Sequence, residues 1–125
     1  MVTQIEKYKW LNLGDPQEAD VEENDVLELK NLSLSSEIGV LNTPPHTITA
    51  NFDAKNLTDV EITTRFTMLR DGSVVNNGTI TIDENDTVNI SIIDDDVSDL
   101  GSYDITIQSP QAINELTDTI RVSYL

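Results

Sequence analysis

The sequence contains no cysteine, one histidine and few basic residues, and each shortage removes a class of chemistry. Without cysteine there is no disulfide framework, no thiolate metal site and no thiol nucleophile. The lone histidine, His46, follows Pro44-Pro45 and reads as a turn residue rather than a base or a ligand. No Ser-His-Asp spacing, Gly-rich phosphate loop or His-x-x-x-His pattern is present, so the chain reads as non-enzymatic. Seven basic residues stand against 23 acidic ones, for a net charge of -16. A small soluble domain typically carries a net charge of about 2–8 units. Nucleic acid is excluded as a partner, because phosphate binding needs Lys and Arg. The acids are spread along the chain and Lys is scarce. Two readings of the charge compete, a self-repelling solvated surface and a halophilic source, where a Debye length of about 3 Å at 1 M salt removes most of the repulsion; the spread and the scarce Lys fit the second. Against a halophilic source stand the many Asn and Ile residues. No apolar run approaches the roughly 20 residues of a membrane span. "MVTQIEKYKWLNLGDPQEAD" lacks the basic and then apolar regions of a secretory signal, so neither membrane insertion nor export by that route is expected.

What the chain does have is a period of two. In "VLELKNLSLSS", Leu27 and Leu29 fall on one face and Leu32 and Leu34 on the other. A one-residue slip reverses every side chain, so a bulge or a change of sheet is expected at Lys30-Asn31. "HTITANF" alternates Ile48, Ala50 and Phe52, and "VEITTRFTML" alternates Ile62, Thr64, Phe66 and Met68. "RDGS" marks a tight turn. "VVNNGTITI" reads as a short strand, an Asn-Gly turn, then Ile80 and Ile82 facing inward. Further on, Val88, Ile90 and Ile92 are expected inward, then Tyr103, Ile105 and Ile107, then Ile120, Val122 and Tyr124. About seven to eight short β-branched strands with polar turns and no long 3.6 period predict an all-β, antiparallel sandwich over residues 26–125. The outward positions carry Thr, Asn, Ser, Asp and Glu. Stable partner contacts are therefore expected at the N-terminus or at the loop ends.

Residues 1–25 break the pattern. Tyr8, Trp10, Leu11 and Leu13 form an apolar cluster holding the chain's only Trp, followed by the acidic connector "GDPQEADVEEND". The segment reads either as an arm that folds back on its own domain or as one that docks on a partner through its aromatic anchors.

The stretch "SDLGSYDITI" carries the most specific signal. In immunoglobulin-like sandwiches a Tyr near the start of strand F buries its ring, and its hydroxyl bonds to backbone a few residues upstream. Gly permits the sharp bend before it, and Asp can bond loop backbone. With Asp99, Gly101 and Tyr103 in these places, and "RDG…GTITI…TVNISI" upstream, residues 26–125 resemble the immunoglobulin-like superfamily. The resemblance implies a disulfide-free member: the two family cysteines would fall at Ala50 and Ile105, and Phe66 would stand for the core Trp. It is similar to the modules of bacterial cell-surface proteins and of tailed-virus particles.

Asp94-Asp95-Asp96 with Asp99 is the densest carboxylate group, expected in the loop before strand F. It reads as solvated acids, with Ca²⁺ binding as the alternative, although the Gly and Glu of an EF-hand loop are missing. No other cofactor is expected. Asn-x-Ser/Thr sequons at Asn31, Asn56, Asn77, Asn85 and Asn89 are glycosylation acceptors only if the chain meets that machinery.

The resemblance implies a virion structural protein, a capsid decoration or turret protein assembled in the host cytoplasm. Its arm (Tyr8, Trp10, Leu11, Leu13) would dock on the shell or on neighbouring copies, giving a homo-oligomer on the particle. Its acidic sandwich would face outward, in weak contact with the host cell surface. The alternative is an adhesion module of a larger cell-surface protein that binds carbohydrate or protein.

Overall fold

The computed structural model describes residues 26–124. Seven strands form two antiparallel sheets: β1 (Leu27–Glu37), β2 (His46–Asn56), β3 (Ile62–Arg70), β4 (Ser73–Ile82), β5 (Thr87–Val97), β6 (Gly101–Gln108) and β7 (Leu116–Val122). One sheet has the order β1-β2-β5 and the other β4-β3-β6-β7. The protein is thus an all-β sandwich. The sheets face each other, with β1 lying over β7 along one side and β4 over β5 along the other.

Alternation decides which side chains enter the core. Along β2 every second residue from His46 to Asn56 is buried. Phe52 packs against Phe66 of the facing sheet, with ring centroids 5.6 Å apart. Ile48, Ala50, Met68, Ile105 and Ile107 complete the centre with no exposure. Burying each large apolar side chain contributes roughly 1.5–3 kcal/mol against leaving it in water.

Three bulges correct places where the alternation slips. Lys30 pairs with Asp53 and Ser33 with Asn51, so Asn31 and Leu32 together oppose Phe52. Asn31 takes φ 61° at the bulge. The extra residue turns Leu32 and Leu34 back onto the core instead of sending them to another sheet. A second bulge in β4 inserts Val75 between the pairs Met68–Asn76 and Leu69–Val74. A third lies in β5, where Asp94 pairs with Ile48 but Val97 pairs with His46.

Several sequence expectations change. There is no turn at Asn77-Gly78: β4 runs straight through it, pairing Thr67 with Asn77 and Phe66 with Gly78. The hairpin is made earlier, at Asp71 (φ 50°) and Gly72 (φ 86°), the two positive φ values that a type I′ turn demands. One reversal suffices, and the described residues hold seven strands, within the expected seven to eight. Tyr124 does not face inward: β7 ends at Val122 and the ring is half exposed, its hydroxyl donating to the Asn42 carbonyl at 3.0 Å. His46 is no turn residue. It opens β2, is 1% exposed, and its Nδ1 accepts the Gly39 N–H at 3.0 Å. Large apolar side chains also reach the outer surface of strands, at Val74 and Ile93, and of the single 3₁₀ turn Val40–Asn42 between β1 and β2, at Val40 and Leu41.

Candidate functional site

The β1–β2, β3–β4 and β5–β6 connections share one end of the sandwich, and the Asp99-Gly101-Tyr103 stretch lies there. Gly101 opens β6 at φ 147°, a region that side-chain-bearing residues rarely enter. The chain then reverses tightly enough for the Tyr103 hydroxyl to donate to the Asp99 carbonyl four residues upstream, at 2.5 Å. The ring is half-buried, and the Arg70 guanidinium sits over it, 5.5 Å from its centroid. Replacing Tyr103 with Phe keeps the ring and removes one hydrogen bond. Unfolding in urea should show a loss of about 1 kcal/mol.

Arg70 also reaches across the sandwich. From the end of β3 it donates to the Asp94 carboxylate on β5, tying the two sheets together. The Asp94 side chain is 1% exposed and that of Arg70 is 24% exposed. Asp94 Oδ1 also accepts the Asp96 N–H at 3.1 Å.

This pair, with the β5 bulge, disperses the expected carboxylate group. Asp94, Asp95 and Asp96 lie on a strand and not in the β5–β6 loop. Asp94 points inward onto Arg70, the bulge leaves both Asp95 and Asp96 outward, and Asp99 is exposed. The Ca²⁺ ligand set Asp94, Asp95, Asp96 and Asp99 is thus not assembled. Among the described residues no three His, Cys, Asp or Glu side chains converge as metal ligands.

At the opposite end lie the β2–β3, β4–β5 and β6–β7 connections and Val26, whose N–H donates to the Gln111 carbonyl at 2.9 Å. Asn56 organises this end. Its amide donates to the carbonyls of Val60 (2.7 Å), Ile82 (3.2 Å) and Asp83 (3.2 Å). Its Oδ1 accepts from the N–H and the hydroxyl of Thr58. A sequon residue on paper, Asn56 is fully buried and clamps three segments. The other four sequon asparagines are exposed. The predicted docking residues Tyr8, Trp10, Leu11 and Leu13 lie outside the described residues.

The outer face of the β1-β2-β5 sheet carries a polar network. Asp53 accepts from Asn31 Nδ2 at 2.8 Å and from Asn89 Nδ2 at 2.9 Å, and Asn51 links Asn89 to Ser91. The amide of Asn31 first, then that of Asn89, with the charge of Lys30 adding to them, holds the Asp53 carboxyl below its ordinary value of 3.8. A carboxyl whose pKa is lower folded than unfolded stabilises the fold above the ordinary value, and this is lost as pH falls through the folded value. Asp53→Asn should therefore be less stable than the parent at pH 7, and the gap should close as pH falls through the lowered folded value of Asp53, read from urea midpoints.

Shallow clefts mark the surface of the described residues. One of about 530 Å³ lies beside the β6–β7 loop, lined by Thr67, Gln108 and Glu115 among others. One of about 510 Å³ lies between Ile38, Asn42 and Tyr124. The third, about 280 Å³, opens between the edges of β4 and β5. Sequence reasoning missed the Arg70–Asp94 pair, Asn56 and the β4–β5 cleft. Only the even spacing of Asn56 with Phe52 and Ala54 hinted that it faces inward. The chain matches no protein-family model, no curated protein and no solved structure.

Proposed function

We propose that this chain is a non-enzymatic structural protein of a virus particle: an immunoglobulin-like sandwich held to the shell by its N-terminal segment, with its acidic surface displayed outward. The observation that carries the reading is how the buried polar side chains are used. His46, Asn56, Thr64 and Asp94 are the buried polar or charged residues among those described. Each is bonded inside the domain: to the Gly39 N–H, to loop carbonyls, to the Ser109 hydroxyl and to Arg70, respectively. Catalytic sites hold polar groups ready for a substrate; here they are committed to holding two sheets and their loops together.

The immunoglobulin-like part of the reading rests on the strand order β1-β2-β5 against β4-β3-β6-β7 and on the Tyr103 to Asp99 bond. The display part rests on charge. A surface at -16 keeps particles apart in solution and disfavours nucleic acid. Docking is assigned to Tyr8, Trp10, Leu11 and Leu13, since large aromatics are the strongest anchors at interfaces.

The test compares the full chain with residues 21–125 in a particle-binding sedimentation assay, using particles stripped of this protein. The full chain should co-sediment, and the shortened chain should stay in the supernatant with an unchanged far-UV spectrum. Co-sedimentation of both would remove the docking role of the N-terminal segment.

A further inference from the structure

The β1–β2 connection holds two large apolar side chains out in water at one end of the sandwich. Val40 is 83% exposed and Leu41 90%, more than any other large apolar residue among those described. Two more stand at the same end. Tyr124 is half exposed and bonds the Asn42 carbonyl. Leu100, 40% exposed, precedes Gly101, which pairs with Val122 beside it.

The tip is firmly held. The Asn42 N–H donates to the Gly39 carbonyl at 2.9 Å, and the Thr43 N–H to the Val40 carbonyl at 3.1 Å. The Thr43 hydroxyl donates to the same Val40 carbonyl, and the Gly39 N–H to His46 Nδ1. A Cβ on Gly39 would strike the Thr43 carbonyl oxygen, so the turn closes directly onto glycine. Within this turn Leu41 takes φ 57° and ψ 32°, and Asn42 φ 60°. Asn enters the left-handed region readily, whereas the Cβ of Leu crowds the following carbonyl there. Burial does not offset that strain, because the Leu41 side chain lies in water. Asn or Gly would serve the turn better. Backbone outliers of this kind cluster at functional contacts.

We infer that Val40 and Leu41, flanked by Leu100 and Tyr124, form a rigid knob that enters an apolar pocket of a partner protein whose rim carries Lys and Arg. The knob lies in the chain's longest run without Asp, Glu, Lys or Arg, from Ile38 to Phe52. At the same end stand the exposed acids Glu37, Asp71, Asp96 and Asp99. An apolar centre within a charged rim is the anatomy of an interface, and an acidic rim calls for a basic one opposite. The same acids repel the phosphates of a lipid surface. The two side chains also hold only about half the carbons of a myristoyl chain, which by itself anchors marginally. A bilayer is therefore disfavoured. So is a second copy, since with seven basic residues against 23 acidic ones it would bring acids against acids. Val26 lies at the opposite end of the sandwich, so the inference does not depend on the docking role proposed for residues 1–13.

The test selects peptides from a displayed random library on the immobilised full chain, then titrates the synthetic peptides against variants. Selected peptides should combine Leu, Ile, Phe or Trp with Lys or Arg, and added salt should weaken their binding. Leu41→Asn and Val40→Ser should each raise Kd at least about tenfold, as losing a buried aliphatic anchor does. Leu57→Ser, 42% exposed at the other end, should leave Kd unchanged. Leu41→Asn should also be at least as stable as the parent in urea, because Asn suits the backbone that Leu41 holds. A library that yields no such peptide overturns the inference, as does binding that ignores Leu41→Asn and Val40→Ser. A Leu41→Asn chain that loses stability overturns it too, since Leu41 would then serve the fold. Leu41-dependent binding to phosphatidylcholine vesicles overturns it in favour of a bilayer, and Leu41-dependent self-association in sedimentation velocity in favour of a second copy.

Discussion

Arg70→Met is expected to cost about 3–5 kcal/mol of folding stability, because it leaves a buried carboxylate without its counter-charge. Asp94 is the residue at risk: its side chain is 1% exposed, and after the change only the Asp96 N–H still bonds it. The reciprocal variant should be milder. In Asp94→Ala the guanidinium of Arg70, already 24% exposed, can turn to water while keeping its place over Tyr103. Arg70→Met combined with Asp94→Leu should recover much of the loss, since a buried ion pair often stabilises no more than apolar residues of similar volume. Urea denaturation of the three variants at pH 7 measures this. Equal costs for the two single changes would show that the burial difference does not govern the pair. Against a typical domain stability of about 5–15 kcal/mol, the Arg70 change alone approaches the threshold for unfolding.

Phe52→Ala should have an effect of the same size, about 3–5 kcal/mol, for a different reason. Phe52 is fully buried, sits opposite the β1 bulge and packs on Phe66 across the two sheets. Truncation removes the transfer free energy of the ring and leaves a cavity, and the bulged Asn31-Leu32 pair limits how far the backbone can close over it. Phe52→Leu should cost less by retaining most of the volume. Thermal and urea unfolding of both variants check the order. A Phe52→Ala chain within 1 kcal/mol of the parent would mean that the centre can collapse without penalty, contrary to close packing.

The legible part of this protein is the part governed by local alternation. Ile48, Ala50 and Phe52, and likewise Ile105 and Ile107, could be set inward from the chain alone, because successive strand side chains point to opposite faces. The slip at Lys30-Asn31 was legible for the same reason: the Leu spacing is inconsistent with a regular strand, and a bulge was one of two remedies. Asn77-Gly78 misled because Asn-Gly is a strong hairpin signal, while Asp71-Gly72, only six residues earlier, is another. The first to close the β3–β4 ladder makes the second redundant. His46 misled because a residue after Pro-Pro looks like part of a turn. Its burial depends on the bulge that brings Val97 opposite it.

The candidate site was less legible than the fold. Asp94, Asp95 and Asp96 are identical in the sequence, and nothing local separates the one that meets Arg70 from the two that meet water. The β5 bulge separates them, and the pairing register of another strand fixes it. Gly78 likewise looked like turn chemistry until its neighbours were known to leave it uncovered.

By itself, then, the sequence determined a cysteine-free, strongly acidic chain with a β-sandwich expected over residues 26–125, because composition and a period of two are local properties. Only the tertiary structure decided which carboxylate is buried, which asparagine is a clamp rather than an acceptor, and where the sandwich is left open. Each of these depends on register between strands distant in sequence, and a one-residue change in register moves a side chain from core to solvent.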